Sequence, residues 1–256
     1  HIIIGLDRAN KSQAKKAWKF FKKIKIPFTI LWNDGPKLKK LNYELKKNDL
    51  APNEYGKGRN VWYCLGMCIA RDEARSVALH DCDIKTYDRR MLAKLFYPVV
   101  NPLFNFEFCK GYYPRVAHNK MGGRVARLLV FPLITALEKT IGKSDYLEFM
   151  KSFKYPLAGE FSFRRNVLPE LRISSDWGIE VGVLSEMQRN FSPHNICQVD
   201  LADSYDHKHQ ELSIKDDTKG LSRMSIDIIK TIIRKLATQG NSFSTETFRS
   251  LKATYY

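Results

Sequence analysis

The stretch Ser76-Val-Ala-Leu-His-Asp-Cys-Asp-Ile84 constrains this chain more than any other. An apolar run as long as a buried strand closes on two carboxylates, Asp81 and Asp83, one residue apart. Residues i and i+2 of a strand share a face. Read as extended chain, both acids therefore stand together at the strand's carboxyl end, where open α/β sheets bind ligands. Two like charges held so close are costly without a cation between them. A divalent metal carrying a diphosphate meets that need, and oxygen ligands select Mg2+ or Mn2+. The competing reading is a pair of acids capping the next helix.

The elements around this run alternate. Ile2–Leu6 reads as a buried strand ending at Asp7, and Ala14, Ala17, Trp18, Phe21 and Ile24 then recur at helical spacing. Phe28–Trp32 is a second strand, closed by Asn33-Asp34-Gly35, and Pro36 suits the first position of a helix striped by Leu38, Leu41 and Leu45. A loop around Pro52 to Gly58 leads to a helix near Asn60 to Arg71 and then to the strand at Ser76. This β-α-β-α-α-β order predicts an α/β fold: a Rossmann-like, mostly parallel, doubly wound sheet with flanking helices. Further on, strands are expected at Glu107–Tyr113 and Ile196–Leu201, with a loop-to-strand element at Pro156–Phe163. Helices are expected at Val125–Lys139, kinked or broken by Pro132, and at Asp176–Arg189. The tail from Ser222 to Thr238 carries Ile226, Ile229, Ile233 and Leu236 on one side; Gly240 stops it, and Ser244 suits the N-cap of a last helix.

At 256 residues the chain is one large domain or a domain with an appendage. Residues 1–212 read as the domain and 213–256 as a helical C-terminal extension. His1 already lies within a strand-like run, so further residues are expected upstream. No apolar run approaches the length of a membrane span. Five scattered cysteines, an odd number, fit reduced thiols and a cytoplasmic protein better than a disulfide framework. The net charge of +16 invites a nucleic-acid reading. Much of the excess, however, is lysine on the outer faces of two predicted helices, and no nucleic-acid motif accompanies it. Attraction of small anionic molecules is the functional reading of that charge.

Three segments can join the paired acids. In Tyr55-Gly-Lys-Gly-Arg-Asn60, two glycines and Lys57 precede a helix start, which favours an anion; the spacing is not that of a Walker loop. Lys120-Met-Gly-Gly-Arg-Val125 repeats that logic with a guanidinium able to grip an oxyanion through two bonds. Asp206-His-Lys-His-Gln210 offers two imidazoles, one of which can serve a metal; the alternative is an exposed polar loop. Glu160 and Glu180 are acids beside glycines, readable as sugar-hydroxyl acceptors, as a base, or as structural acids.

Gly56-Lys-Gly58, Asp81-Cys-Asp83, Gly122-Gly-Arg-Val125, Pro156-Leu-Ala-Gly-Glu160, Gly178-Ile-Glu-Val-Gly182 and Gln198-Val-Asp-Leu201 before His207 together resemble the glucosyl-3-phosphoglycerate synthases of glycosyltransferase family 81. The resemblance covers residues 2 to 212. It implies a GT-A fold, a homodimer, and metal-dependent retaining transfer of glucose from a nucleotide diphosphate glucose to 3-phosphoglycerate. A mannosyl donor or another small organic acid as acceptor is the alternative within the same fold. The resemblance puts Asp7, Lys57, Asp81, Cys82, Asp83 and Glu180 on the donor, with Asp83 and His207 on the metal. It puts Gly123, Arg124 and Val125 on the acceptor, with the Leu157 carbonyl facing the acceptor hydroxyl. Leu157, Glu180 and Asp83 are thereby the catalytic set. Three positions depart from the family pattern in the acceptor region: Ala126 stands where a hydroxyl is usual, Tyr205 where arginine is, and His209 where an amide is.

Overall fold

The first expected pair of strands forms in parallel. In the computed structural model, which describes residues 1–52, 56–117, 120–206 and 220–256, β1 (Ile2–Leu6) lies beside β2 (Phe28–Trp32), from Ile2 opposite Phe28 to Leu6 opposite Trp32. Between them runs α1 (Lys11–Phe21), started by an Asn10–Gln13 capping box. After β2, Gly35 and Pro36 open α2 (Pro36–Lys47) with proline in the first turn, where its missing N–H costs nothing. Then α3 (Lys57–Arg71) begins at Gly56, whose φ of 153° and ψ of −164° belong to glycine, and ends at a left-handed Asp72. Trp18, expected on the inner stripe of α1, is half exposed, with the Lys22 ammonium 4.9 Å from its ring centroid. These elements, residues 1–73 with 173–179, make one compact unit; residues 74–172 with 180–256 make the other.

The second unit is built on a four-stranded sheet. Its strands are β3 (Ser76–Leu79), β4 (Phe108–Tyr112), β7 (Phe161–Arg164) and β8 (Ile196–Asp200), in the order β3-β7-β4-β8. β8 runs parallel to β4, but β7 runs against both β3 and β4. Three of the four strands thus run the same way, as a mostly parallel sheet requires, and β7 alone runs against them. Register explains the consequence: Leu79 faces Phe161, Lys110 faces Phe161, and Tyr112 faces Asp200. The carboxyl ends of β3, β4 and β8 thus share one edge with the start of β7, and every segment leaving that edge can contribute to a site. A short hairpin, β5 (Val116–Ala117) with β6 (Lys120–Met121), follows β4.

One helix unforeseen in the sequence covers this sheet. In α4 (Arg89–Val100), Met91, Leu95 and Val99 recur every fourth residue and are buried together with Cys109, Tyr113, Ala158, Leu201 and Tyr205. Pro98 inside the helix hides that stripe from a reading that treats proline as a breaker. The helix around Pro132 forms, and the proline is accommodated by a π-helical turn at Ala126–Val130 leading into α5 (Phe131–Ile141). Proline lacks an N–H and crowds the carbonyl four residues back, so the turn widens to the i+5 pattern, with the Phe131 N–H donating to the Ala126 carbonyl. The Leu128 carbonyl accepts from the Tyr255 hydroxyl. A short α6 (Asp145–Lys151) was also unforeseen. α7 (Ile179–Asn190) starts three residues later than expected because Asp176 accepts from the Ser174 hydroxyl and the Gly178 N–H instead. The tail forms α8 (Gly220–Thr238) and α9 (Thr245–Tyr255), the latter with a Ser244–Thr247 capping box and packed along α5. None of the five cysteines is in a disulfide, and no helix among the described residues is long and apolar enough to cross a membrane.

Candidate nucleotide-sugar and acceptor site

Strand β3 stops at Leu79, so Asp81, Cys82 and Asp83 occupy a turn rather than a strand. The shared-face argument for the two acids therefore fails, and a turn gathers them instead, with Asp81 half buried and Cys82 and Asp83 exposed. The Asp81 N–H lies 3.4 Å from Glu160 Oε1. Just past the acids, the Lys85 N–H donates to the Asp206 carbonyl at 2.8 Å, and the Asp206 N–H to Thr86 Oγ1 at 3.2 Å. Lys85 Nζ adds an ion pair to Asp206 Oδ2 at 3.1 Å. Residue 206 is thus stitched to the turn that carries Asp83. His207 and His209 lie outside the described residues. Among the described residues no group of three or more His, Cys, Asp or Glu side chains could hold a metal ion. The hard carboxylate oxygens of this turn fit Mg2+ or Mn2+, with the remaining positions open to phosphate oxygens and to ligands beyond Asp206. Beside the turn, both ring nitrogens of His80 are buried without a hydrogen-bond partner among the described residues. Burial pushes its imidazole down to about 4, against a weaker upward pull from Asp81.

Behind the turn sits a polar network in the core. Glu160 is fully buried; its Oε2 accepts from the Tyr113 hydroxyl at 2.7 Å and its Oε1 from Tyr205 at 3.0 Å. The two tyrosine rings stack with centroids 3.5 Å apart and planes 2° apart. Burial, and next the Glu160 charge, push both phenols well up, so both remain hydrogen-bond donors. Nearby, fully buried Lys110 donates to the Ala158 carbonyl at 2.6 Å, which anchors the loop carrying the buried Leu157. Glu160, read as a base or hydroxyl acceptor, is therefore committed to tyrosines. Tyr205 and Ala126, grouped with the acceptor residues, are both buried: Tyr205 gives its hydroxyl to Glu160, and Ala126 lies inside the π-helical turn. Gly123 takes a φ of 69° that a side chain would strain, and it leads to an exposed Arg124 and a half-buried Val125. Glu180 is buried in the first turn of α7, where the helix dipole favours an acid.

The other unit holds Asp7 and Lys57. Asp7, at the carboxyl end of β1, accepts from Asn33 Nδ2 at 3.0 Å and from the Arg59 guanidinium, and Arg8 Nε lies 3.5 Å from its other oxygen. Asn33 Nδ2 also reaches Asn60 Oδ1 at 3.0 Å. A Cβ on Gly5 would stand 2.3 Å from that oxygen, which explains glycine in the middle of a strand. Arg59, Asn33 and Asn60 escaped the sequence reading because their partners are more than twenty residues away. Lys57 is the first residue of α3, so the helix starts three residues before the expected Asn60 and Lys57 stands in its first turn rather than in the loop ahead of it. Gly58 has a different use from the expected approach to a ligand. Its Cβ would stand 2.2 Å from the Ser174 carbonyl oxygen, so the glycine admits another stretch of this chain's backbone.

No family model matches the chain. Its fold is that of GT-A glycosyltransferases. It resembles crystal structures of mannosyl-3-phosphoglycerate synthase from Rubrobacter xylanophilus (TM-score 0.64, 20% identity, 96% of this chain and 76% of that one). It also resembles glucosyl-3-phosphoglycerate synthase from Mycobacterium tuberculosis in complex with phosphoglyceric acid (TM-score 0.60, 19% identity, 91% and 78%). By sequence the chain is homologous to the glucosyl-3-phosphoglycerate synthases. It is 45% identical to that of Persephonella marina over 254 residues, 99% of this chain and 62% of the relative. It is 40% identical to that of Methanococcoides burtonii over 236 residues, 91% of this chain and 57% of the relative. The chain thus spans about 60% of the length of the curated relatives it matches. The likeness to the first of these continues past Leu212, through the tail.

Proposed function

We propose that this chain carries the catalytic fold of a metal-dependent retaining glucosyltransferase. Its donor is a nucleotide diphosphate glucose and its acceptor 3-phosphoglycerate, giving glucosyl-3-phosphoglycerate. The observation that carries the reading is the 45% identity to a glucosyl-3-phosphoglycerate synthase along essentially the whole chain. The paired-acid turn tied to residue 206 supports it. So does the Mycobacterium tuberculosis enzyme of like fold, whose structure holds Mn2+, uridine-diphosphate-glucose and glycerol 3-phosphate.

Asp83 and His207 would hold Mg2+ or Mn2+, which supplies charge neutralisation for a leaving diphosphate. Lys57 balances the same diphosphate; Asp7, Asp81, Cys82 and Glu180 orient the nucleotide sugar. Gly123, Arg124 and Val125 seat the anionic acceptor, and the Leu157 carbonyl aligns its hydroxyl with the anomeric carbon. The hydroxyl attacks from the face the diphosphate leaves, the C–O bond to the diphosphate breaks, and the leaving phosphate takes the hydroxyl proton. Anomeric configuration is retained without a protein nucleophile. Glu160 is unsuited to a double displacement because both of its oxygens accept from buried tyrosines. A cytoplasmic homodimer belongs to the same reading; cysteines held outside disulfides and the exposed apolar residues Tyr97, Val100 and Leu103 support it.

The test is a matrix of UDP-glucose, GDP-glucose and GDP-mannose against 3-phosphoglycerate and other hydroxy acids, scored by nucleotide release and product mass. The expected outcome is metal-dependent transfer of glucose to 3-phosphoglycerate, abolished by chelation and lowered at least about a hundredfold in Asp83→Ala. Turnover with GDP-mannose alone would move the chain to mannosyl transfer. Metal-independent turnover surviving Asp83→Ala would remove the reading.

A further inference from the structure

We propose that Arg115 is an anion-binding residue of the acceptor subsite, gripping a carboxylate or phosphate of the small acid that receives the sugar. The ligand's identity rests on the transferase reading above; the geometry stands within the second unit alone. The Arg115 guanidinium carbon lies 5.6 Å from the ring centroid of Tyr155 and 5.4 Å from that of Tyr205. The stem of the side chain runs along bare backbone. A Cβ on Gly122 would come within 3.6 Å of Arg115 Cβ and Nε, and one on Gly123 within 3.2 Å of its Cγ. Those glycines lead directly into the exposed Arg124. Among the described residues no carboxylate pairs with Arg115, although ion pairs occupy Arg59, Arg71, Arg90, Arg164, Arg189 and Arg223.

The support beneath this arginine is rigid. Tyr205 stacks on Tyr113, and fully buried Glu160 takes both hydroxyls. An arginine lying over aromatic faces gains cation–π attraction and keeps its planar fork free, so little freedom remains to be lost when an oxyanion binds. Glu160 is thus a positioning residue: its hydrogen bonds hold the rings that hold Arg115. The same chain of contacts gives the buried Tyr205 a use that its hydroxyl alone does not suggest.

Calorimetric titration of the purified protein with 3-phosphoglycerate, and in a separate arm with inorganic phosphate, tests this. Wild type is compared with Arg115→Ala and Arg115→Lys, with UDP-glucose and Mn2+ as the control ligand. Loss of a charge-assisted, two-bond contact predicts that Arg115→Ala weakens 3-phosphoglycerate about ten- to hundredfold. Arg115→Lys should fall between, because it keeps charge without the fork. Donor affinity and thermal midpoint should stay unchanged, and in turnover the acceptor KM should rise with kcat preserved. Equal binding of 3-phosphoglycerate by wild type and Arg115→Ala overturns the proposal. So does a wild type that binds neither anion, or a parallel loss of donor binding in both variants. Arg115-dependent anion binding without glucose transfer would leave this site standing and remove the transferase reading instead.

Discussion

Gly58 and His80 are residues whose roles emerge only from what surrounds them. Glycine at position 58 looks like half of an anion loop, yet a single methyl group there would stand 2.2 Å from the Ser174 carbonyl oxygen and 2.6 Å from the Ser175 carbonyl carbon. Backbone cannot yield as a flexible side chain can. Gly58→Ala is expected to destabilise the protein by roughly 1–3 kcal/mol in chemical denaturation, whereas Gly66→Ala, with open space around it, should not. His80 is neutral in the fold because burial pushes its imidazole down to about 4, while Asp81 and the Tyr87 ring, 5.5 Å away, are its immediate neighbours. The unfolded chain takes up that proton near the ordinary value of about 6.5. Stability is therefore full above that value and declines as pH falls from there towards 4. Denaturation midpoints measured from pH 7 to 4 should drop more steeply for wild type than for His80→Leu.

Among the elements, the sequence was most readable where period and punctuation agreed. Ile2–Leu6, Phe28–Trp32 and the helix opened by Pro36 formed as expected because each is a local decision of apolar run, turn and cap. α4 was missed because Pro98 sits on a stripe of Met91, Leu95 and Val99 that only the sheet beneath it makes decisive. Pro132 was expected to kink or break its helix; the chain widens by one π-helical turn and continues. The Tyr255 hydroxyl on α9 bonds the Leu128 carbonyl in that turn. Tyr255→Phe should cost about 1 kcal/mol, read as a lowered denaturation midpoint with unchanged denaturant slope. An unchanged midpoint would mean that water satisfies this carbonyl equally well.

At the scale of the whole molecule, the net charge of +16 acts on rates and affinities for anions rather than on fold. Both substrates of the proposed reaction are anionic. Added salt should therefore raise both KM values severalfold between about 0.05 and 0.5 M, with kcat little changed; a flat salt profile would assign the lysine faces to solvation alone. Domain structure is the large-scale feature least visible in the sequence. Residues 173–179 join the first 73 residues, and the described tail joins the second unit. Nothing local marks residues 173–179, because their membership is set by a backbone approach that Gly58 permits.

The paired acids Asp81 and Asp83, the glycine-lysine and glycine-arginine loops and most strands were determined by the sequence itself, since residue type and short-range period suffice for them. Tertiary structure decided the rest. It ended β3 at Leu79 and gathered the acids by a turn. It ran β7 against its neighbours, and so brought Glu160 to the edge where β3, β4 and β8 end. It also turned Glu160 from an apparent acid or base into the buried anchor of Tyr113 and Tyr205. The physical reason is the same in each case. A hydrogen bond or a ring stack between residues 45 or more apart leaves no trace in local pattern, and burial, which fixes the charge and availability of a side chain, exists only once the sheet has formed.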